Sequence, residues 1–377
     1  MKTKMLKRTW AEVDLSNLRH NVAVLTKDLP DGCRFLGVVK ADAYGHGAVQ
    51  VSRLLQDAGA DYLAVAGLDE AMELRQNGIF LPILILGHTP PEYTETLIRN
   101  DITQAVTCLA KAEEYSREAS RLGRTLRIHI KVDTGMSRLG FLCAGPHFDD
   151  GVENILYACS LPGLESEGIF THFAVSDEPG EDNEAYTRAQ FGLFLRVIDA
   201  VKERGVCFAI RHCANSGAVL HYPEMALDMV RPGLLLYGYG DESGTLDLRP
   251  CMRLMTRITT IKHYESGTSV SYGRRFVTDK LTRMAVLGIG YADGLPRACS
   301  NRCSFYIAGG YAPQRGSICM DMCMADVTDL PDAAVDGEVE IFGEHCDIRL
   351  LSEAAQTIPY ELLCAVNKRV PRVYRSK

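Results

Sequence analysis

The sequence predicts a (β/α)₈ barrel followed by a separate, mostly β domain. Across residues 1–240, short apolar runs alternate with amphipathic helical spacing, as in parallel strands joined by helices. Beyond Tyr239-Gly240 the chain turns to strand-like runs separated by Gly, Pro and Asp, and no amphipathic helix intervenes until residues 352–355. At 377 residues it also exceeds one typical domain.

A first strand-like segment at 9–13 precedes a helix at 17–27. The runs 35–39, 61–66, 82–86, 103–106, 126–132, 164–171, 207–211 and 227–230 then read as the eight barrel strands. Helical spacing follows the first of them through Leu55. A helix at 68–76 closes at Asn77-Gly78, the next is started by Pro90-Pro91, and another ends near Gly123. Residues 154–159 belong to a further helix, a long one covers 183–204, and a short one lies near Ala218. In the second domain 253–262, 284–290, 304–307, 322–327 and 338–342 read as strands. The polar stretch Asp241-Glu242-Ser243-Gly244 reads as a linker, giving domains 1–240 and 245–377.

Net charge of −7 without a basic cluster argues against a nucleic-acid partner. Residues 1–10 are basic but no apolar run follows, so they do not read as a secretory signal, and no stretch has the length of a membrane span. A soluble, cytoplasmic protein is expected. The 13 cysteines lie scattered through apolar patterns and read as small buried hydrophobes. Cys299/Cys303 and Cys319/Cys323 have zinc-like spacing but sit in apolar strand patterns rather than tight turns, so no metal is expected.

The polar residues fall at strand ends. Lys40 closes the first barrel strand ahead of a glycine-rich turn. Burial there disfavours its charge, and a neutral amine attacks carbonyls to form a Schiff base. Taken alone, Lys40 reads equally well as a lysine reaching for solvent. Strand five carries Lys131 and runs on through Asp133 to Arg138. Strand six ends in His172, strand seven in His212, Asn215 and Ser216, and strand eight in Arg231-Pro232-Gly233. In a barrel all of these converge on one mouth. Singly, His172 is more often a satisfied histidine. Together, Asn215-Ser216, which reads equally well as a simple helix cap, and Arg231-Pro232-Gly233 are two candidate phosphate-binding turns opposite the lysine. Pyridoxal 5′-phosphate, with an aldehyde and a phosphate, is the ligand that suits both.

Val39-Lys40-Ala41-Asp42-Ala43-Tyr44-Gly45-His46-Gly47 resembles the cofactor-lysine signature of bacterial alanine racemases. The resemblance continues through Lys131-Val132-Asp133-Thr134-Gly135-Met136, Arg138-Leu139-Gly140, Thr171-His172-Phe173, Asn215-Ser216 and Val230-Arg231-Pro232-Gly233. In the second domain it takes in Val270-Ser271-Tyr272-Gly273, Gly290-Tyr291-Ala292-Asp293-Gly294, Cys319-Met320-Asp321 and Pro359-Tyr360-Glu361. It spans both domains.

The resemblance implies that Lys40 holds the cofactor and then acts as one base. Tyr272, arriving from the second subunit of a homodimer, is implied as the other. Two bases on opposite faces suit a racemase, and a tyrosine with an ordinary pKa of about 10 needs positive charge nearby to serve as one. It further implies that Arg231 faces the pyridine nitrogen with His172 hydrogen-bonded behind it, and that Tyr44, Ser216, Gly233, Leu234 and Tyr360 bind phosphate. Arg138 and Met320 match the binders of the substrate carboxylate. Lys131 matches a lysine often carbamylated so as to hold that arginine, and Tyr291 matches a residue lining substrate access. Ser137 and Ser317 depart from the family pattern, the latter standing where many relatives carry arginine. Tyr360 favours alanine over serine as substrate. The alternatives are a serine or broad-specificity racemase, a decarboxylase of basic amino acids on the same fold, and a cofactor-binding protein without turnover.

Overall fold

The computed structural model describes residues 8–241 and 243–376, so most of the basic N-terminal segment and Glu242 of the expected linker lie outside the described residues. The chain divides into two compact units. One comprises residues 19–43 and 48–249, and the other gathers the remaining described residues: 8–18, 44–47 and those from Pro250 onward.

The first strand, β1 (Thr9–Asp14), belongs to the second unit. The first unit is built on β2 (Arg34–Val38), β3 (Tyr62–Val65), β4 (Ile83–Ile85), β5 (Ile102–Val106), β6 (Leu126–Asp133), β7 (Phe141–Leu142), β8 (Leu164–Phe170), β9 (Ile210–His212) and β10 (Met229–Val230). Leaving aside β7, which pairs only with β6, the eight form a parallel sheet in the order β10-β2-β3-β4-β5-β6-β8-β9. Backbone bonds from Asp228 to the Arg211 carbonyl and from Arg231 to the Ala214 carbonyl bring the two ends together. A hydrogen bond from Tyr62 on β3 to Glu167 on β8 crosses the interior between strands that are not neighbours. All eight expected barrel strands are present. Their register explains the polar mouth, because β6 alternates apolar Leu126, Ile128, Ile130 and Val132 with Arg127, His129, Lys131 and Asp133. Among the covering helices, Glu181–Glu203 starts with Glu181, Asp182 and Glu184 and carries Lys202 in its last turn, each sign matched to the helix dipole.

In the second unit the long β11 (Met252–Tyr264) pairs along its first half with β1 and along its second half with β14 (Thr282–Leu287). β1 also takes β19 (Arg372–Arg375) as its parallel neighbour. The pairings run β14-β17-β16-β15-β18-β11 and return to β14, closing a ring through β15 (Ser304–Ile307), β16 (Gly310–Arg315), β17 (Cys323–Asp326) and β18 (Glu338–Phe342). A separate hairpin joins β12 (Ser269–Val270) to β13 (Phe276–Val277). Strands 304–307 and 338–342 lie where expected, whereas β16, β19, the hairpin and the helix Pro359–Ala365 were not anticipated.

Candidate active site

Lys40 follows β2 after one residue, Val39, and is half-buried. Behind it the backbone makes a left-handed turn: Ala41, Asp42, Ala43 and Tyr44 have φ of 53°, 53°, 55° and 52°. For side chains of this kind each such residue costs about 1 kcal/mol or more. Local bonds hold the turn. Ala43 donates to the Val39 carbonyl at 2.9 Å, Ala48 to the Asp42 carboxylate at 2.7 Å, and Ala41 to Glu70 at 2.6 Å. Glu70 also accepts from Ala66, beyond β3, at 2.7 Å, so one carboxylate pins the ends of two adjacent strands.

Arg231, beyond β10, is buried, and among the described residues its side-chain hydrogen bonds go to carbonyls and imidazole nitrogens. It donates to His212 Nδ1 (2.9 Å), to the carbonyls of Thr171 (2.9 Å) and Cys213 (3.0 Å), and at 3.4 Å faces His172 Nδ1. Burial pushes its pKa down to about 10. His172 is held well below the ordinary imidazole value by burial, then by the charges of Arg231, Lys131, Arg138 and Lys40. Lys131 is likewise depressed, by burial first and Arg231 second, and its Nζ lies 5.0 Å from the centre of the Phe170 ring. Arg138 is exposed on the loop after β6, where Asp133 accepts from the Gly135 and Ser137 amides at 2.9 and 3.1 Å.

Asn215 caps the helix Ser216–His221, accepting from the Ala218 amide at 3.1 Å and from Ser176 Oγ at 2.8 Å. Ser216 Oγ in turn accepts from the Gly233 amide at 2.8 Å, so the turns after β9 and β10 meet at one hydroxyl. Leu234 starts the next short turn and is buried. The first amides of a helix have no carbonyl within it to bond, which leaves this corner suited to an anion.

In the second unit Tyr44 and Tyr360 stand with ring centres 5.9 Å apart, and burial followed by Tyr360 raises the Tyr44 pKa. Tyr272 sits at the tip of the β12–β13 hairpin and is 73 % exposed. Tyr291 and Met320, also exposed, lie on clipped segments: Tyr291 donates to the Cys319 carbonyl and Ala292 to that of Met320, both at 3.0 Å. A Cβ on Gly290 would come within 2.3–2.4 Å of those same carbonyl oxygens. Buried Asp293 anchors this region through Arg8 and Arg369, and Arg369 continues to Asp321 at 2.8 Å.

The family model for the alanine racemase N-terminal domain matches residues 13–241, and that for the C-terminal domain matches 251–374. The chain belongs to the alanine racemase family. It is 46 % identical over 370 residues to the alanine racemase of Desulfovibrio desulfuricans, covering 97 % of each chain. With the alanine racemase of Clostridium tetani it shares 43 % over 386 residues, 98 % of this chain and 96 % of the relative. The solved alanine racemase of Clostridium difficile 630 superposes with a TM-score of 0.93 at 40 % identity, over 99 % of this chain and 97 % of that one. As a member of the alanine racemase family, the protein is an enzyme of the racemase class.

Within the barrel, Lys40, Lys131, Arg138, His172 and Arg231 share one electrostatic neighbourhood, and Ser216 and Gly233 share a hydrogen bond. Tyr44 and Tyr360 meet in the second unit. The resemblance implies His172 behind Arg231; the two lie 3.4 Å apart, and the shorter contact, 2.9 Å, is to the strand-end His212. Sequence reading passed over His129 and Glu167 altogether. The signal was there: His129, Lys131 and Asp133 alternate along β6, the period of one inward face.

Proposed function

We propose that the protein interconverts L- and D-alanine, with pyridoxal 5′-phosphate as cofactor, in the cytoplasm, supplying D-alanine for peptidoglycan. The observation that carries this reading is the barrel mouth, where buried Arg231 donates to His212 and to the carbonyls of Thr171 and Cys213, and Ser216 accepts from the Gly233 amide on the turn that follows Arg231. The donor set suits the cofactor. Lys40 fits its aldehyde, Arg231 fits a ring nitrogen that accepts, and the Ser216–Gly233–Leu234 corner fits its phosphate, with Tyr44 and Tyr360 as the family's further phosphate binders. Asn215 supports that corner through its cap.

Once bound, the cofactor supplies an electron sink for the pair left on the substrate α-carbon. The remaining work falls to side chains. Lys40 Nζ takes or returns the α-proton on one face, and Tyr272 of the partner subunit does so on the other. The 73 % exposure of Tyr272 in the single chain supports a role completed by a second copy. Arg138 and Met320 hold the substrate carboxylate, and Tyr291 lines its access. Burial and the charge of Arg231 disfavour protonation of Lys131 and so favour the amine form that adds carbon dioxide, and its carbamate would hold Arg138 by charge. Because Arg231 only donates, it would leave a bound pyridine nitrogen unprotonated, and the cofactor would then be a weaker electron sink.

The test is a chiral assay of purified protein with L-alanine and, separately, L-serine. Racemisation of L-alanine well ahead of L-serine is expected. Preference for serine would move the reading to a serine racemase, and evolution of carbon dioxide from basic amino acids would move it to a decarboxylase.

A further inference from the structure

β8 carries a bulge whose extra residue is Glu167. Ile128 pairs with Ser166 but His129 pairs with Gly168, so Glu167 has no opposite number on β6. A bulge re-aims the side chain it carries. Here Glu167 Oε2 lies 3.1 Å from His129 Nε2 and accepts from Tyr62 Oη at 2.8 Å. Gly168 leaves room for the imidazole, since a Cβ there would sit 2.6 Å from the His129 ring. From His129 the contacts run on toward the mouth. His129 Nδ1 is 2.9 Å from His212 Nε2, and His212 Nδ1 is 2.9 Å from Arg231 Nη1. Both rings are fully buried, and Phe170 stacks flat on His212 at 4.8 Å and 9°.

The two ends fix the sense of every bond between them. A carboxylate only accepts and a guanidinium only donates. His129 therefore carries its hydrogen on Nε2, toward Glu167, and Nδ1 accepts. His212 must then donate from its own Nε2, leaving Nδ1 to accept from Arg231. No other pair of neutral tautomers satisfies all three contacts. Burial lowers the proton affinity of both rings, in keeping with neutral imidazoles.

We infer that Glu167 is a positioning residue for Arg231, acting through His129 and His212. It fixes the tautomer that makes His212 an acceptor, and so commits one arm of the guanidinium inward and holds its planar fork in a single orientation at the mouth. This role rests on the reading of Arg231 as the partner of the pyridine nitrogen.

The experiment is ¹⁵N NMR of histidine-labelled protein, without cofactor and after addition of pyridoxal 5′-phosphate. It compares wild type, Glu167→Gln and Glu167→Ala, with kcat and KM for L-alanine measured alongside. His129→Asn and His212→Asn spectra assign the signals. In wild type both rings are expected neutral with hydrogen on Nε2. Glu167→Gln, whose amide oxygen still accepts, keeps those tautomers and most of the turnover. Glu167→Ala lets His212 become a tautomer mixture and lowers kcat about tenfold or more, with KM little changed. Wild-type rings that are doubly protonated or carry hydrogen on Nδ1 would overturn the inference. So would a Glu167→Ala protein with unchanged His212 signals or unchanged kcat. Arg231→Lys separates the two ideas: if kcat survives it, the reading of Arg231 falls, while the wild-type tautomers still decide the relay.

Discussion

Ser317 is clipped to Tyr272 and to its neighbour Ser271 by two hydroxyl bonds. Ser317 Oγ donates to the Tyr272 carbonyl at 2.8 Å, and Ser271 Oγ donates back to the Ser317 carbonyl at 2.6 Å. Ser271 itself has a φ of 66°, a conformation that persists only when its surroundings hold it. Ser317→Ala removes one of these bonds at a residue that is 1 % exposed, at a cost of about 1 kcal/mol. Turnover is expected to fall several-fold in both directions with cofactor binding unchanged, and Ser317→Thr should recover part of it. An alanine variant as active as wild type would show that the clip does not position Tyr272.

Reduction of the cofactor-loaded protein with borohydride is expected to leave the label on Lys40. The lysine lies two residues beyond the end of β2, at the C-terminal end of a barrel strand. Peptide mapping decides it, and a label on Lys131 or any other lysine would remove Lys40 from its role.

Arg231→Glu should lower racemisation and raise transamination. Among the described residues the Arg231 side chain bonds to carbonyls and imidazole nitrogens, so its own charge controls what the ring nitrogen does. A carboxylic acid can share a proton with that nitrogen and lengthen the carbanion's life, giving more chance of protonation at the wrong carbon. Accumulation of pyridoxamine 5′-phosphate during turnover is the readout, and none accumulating would refute the charge argument.

Lys131 gives a pH prediction. Its folded-state pKa is depressed by burial and then by Arg231, so between that value and the unfolded value of about 10.4 the unfolded chain binds the extra proton. Stability therefore rises with pH in this window and is lost as pH falls, by up to about 1.4 kcal/mol per pH unit. Lys131→Met should flatten the dependence in buffers freed of carbon dioxide. Parallel slopes for the two proteins in urea titrations would mean that Lys131 is not held neutral.

What could be read from the sequence followed periodicity. The eight barrel strands are mostly buried runs bounded by turns, and Lys40, His172, Arg231 and Ser216 stand just beyond their ends. What could not be read depends on partners distant in sequence or on backbone conformation. β1 is an ordinary apolar strand whose place beside β11 and β19 is set by residues more than 200 positions away. β16 contains Gly310 and Pro313, which weaken its strand pattern, although Ala308-Gly309, with φ of 47° and 86°, makes the tight turn that pairs it with β15. The left-handed turn after Lys40 runs through Ala, Asp, Ala and Tyr, most of which have no preference for it. It exists because Glu70 and the Asp42 carboxylate hold it.

The last prediction concerns how many chains make one site. Lys40 belongs to the barrel unit and Tyr272 to the second unit, at the exposed tip of its hairpin. If each site takes Lys40 from one chain and Tyr272 from another, Lys40→Ala and Tyr272→Ala are each nearly inactive alone, since every site lacks a base. A mixed dimer differs. One of its sites has lost both residues, while the other keeps both, because a two-fold interface repeats the same contact twice. Random exchange makes about half of the dimers mixed, each with one of its two sites whole, so roughly a quarter of wild-type activity should return. The two variants are denatured and refolded together, and compared with each refolded alone. Exchange is verified independently by a tag on one variant. Recovery near that fraction requires a shared site. Verified exchange with no recovery above the separate controls would place both bases on one chain, and the homodimer would then have no catalytic reason to form.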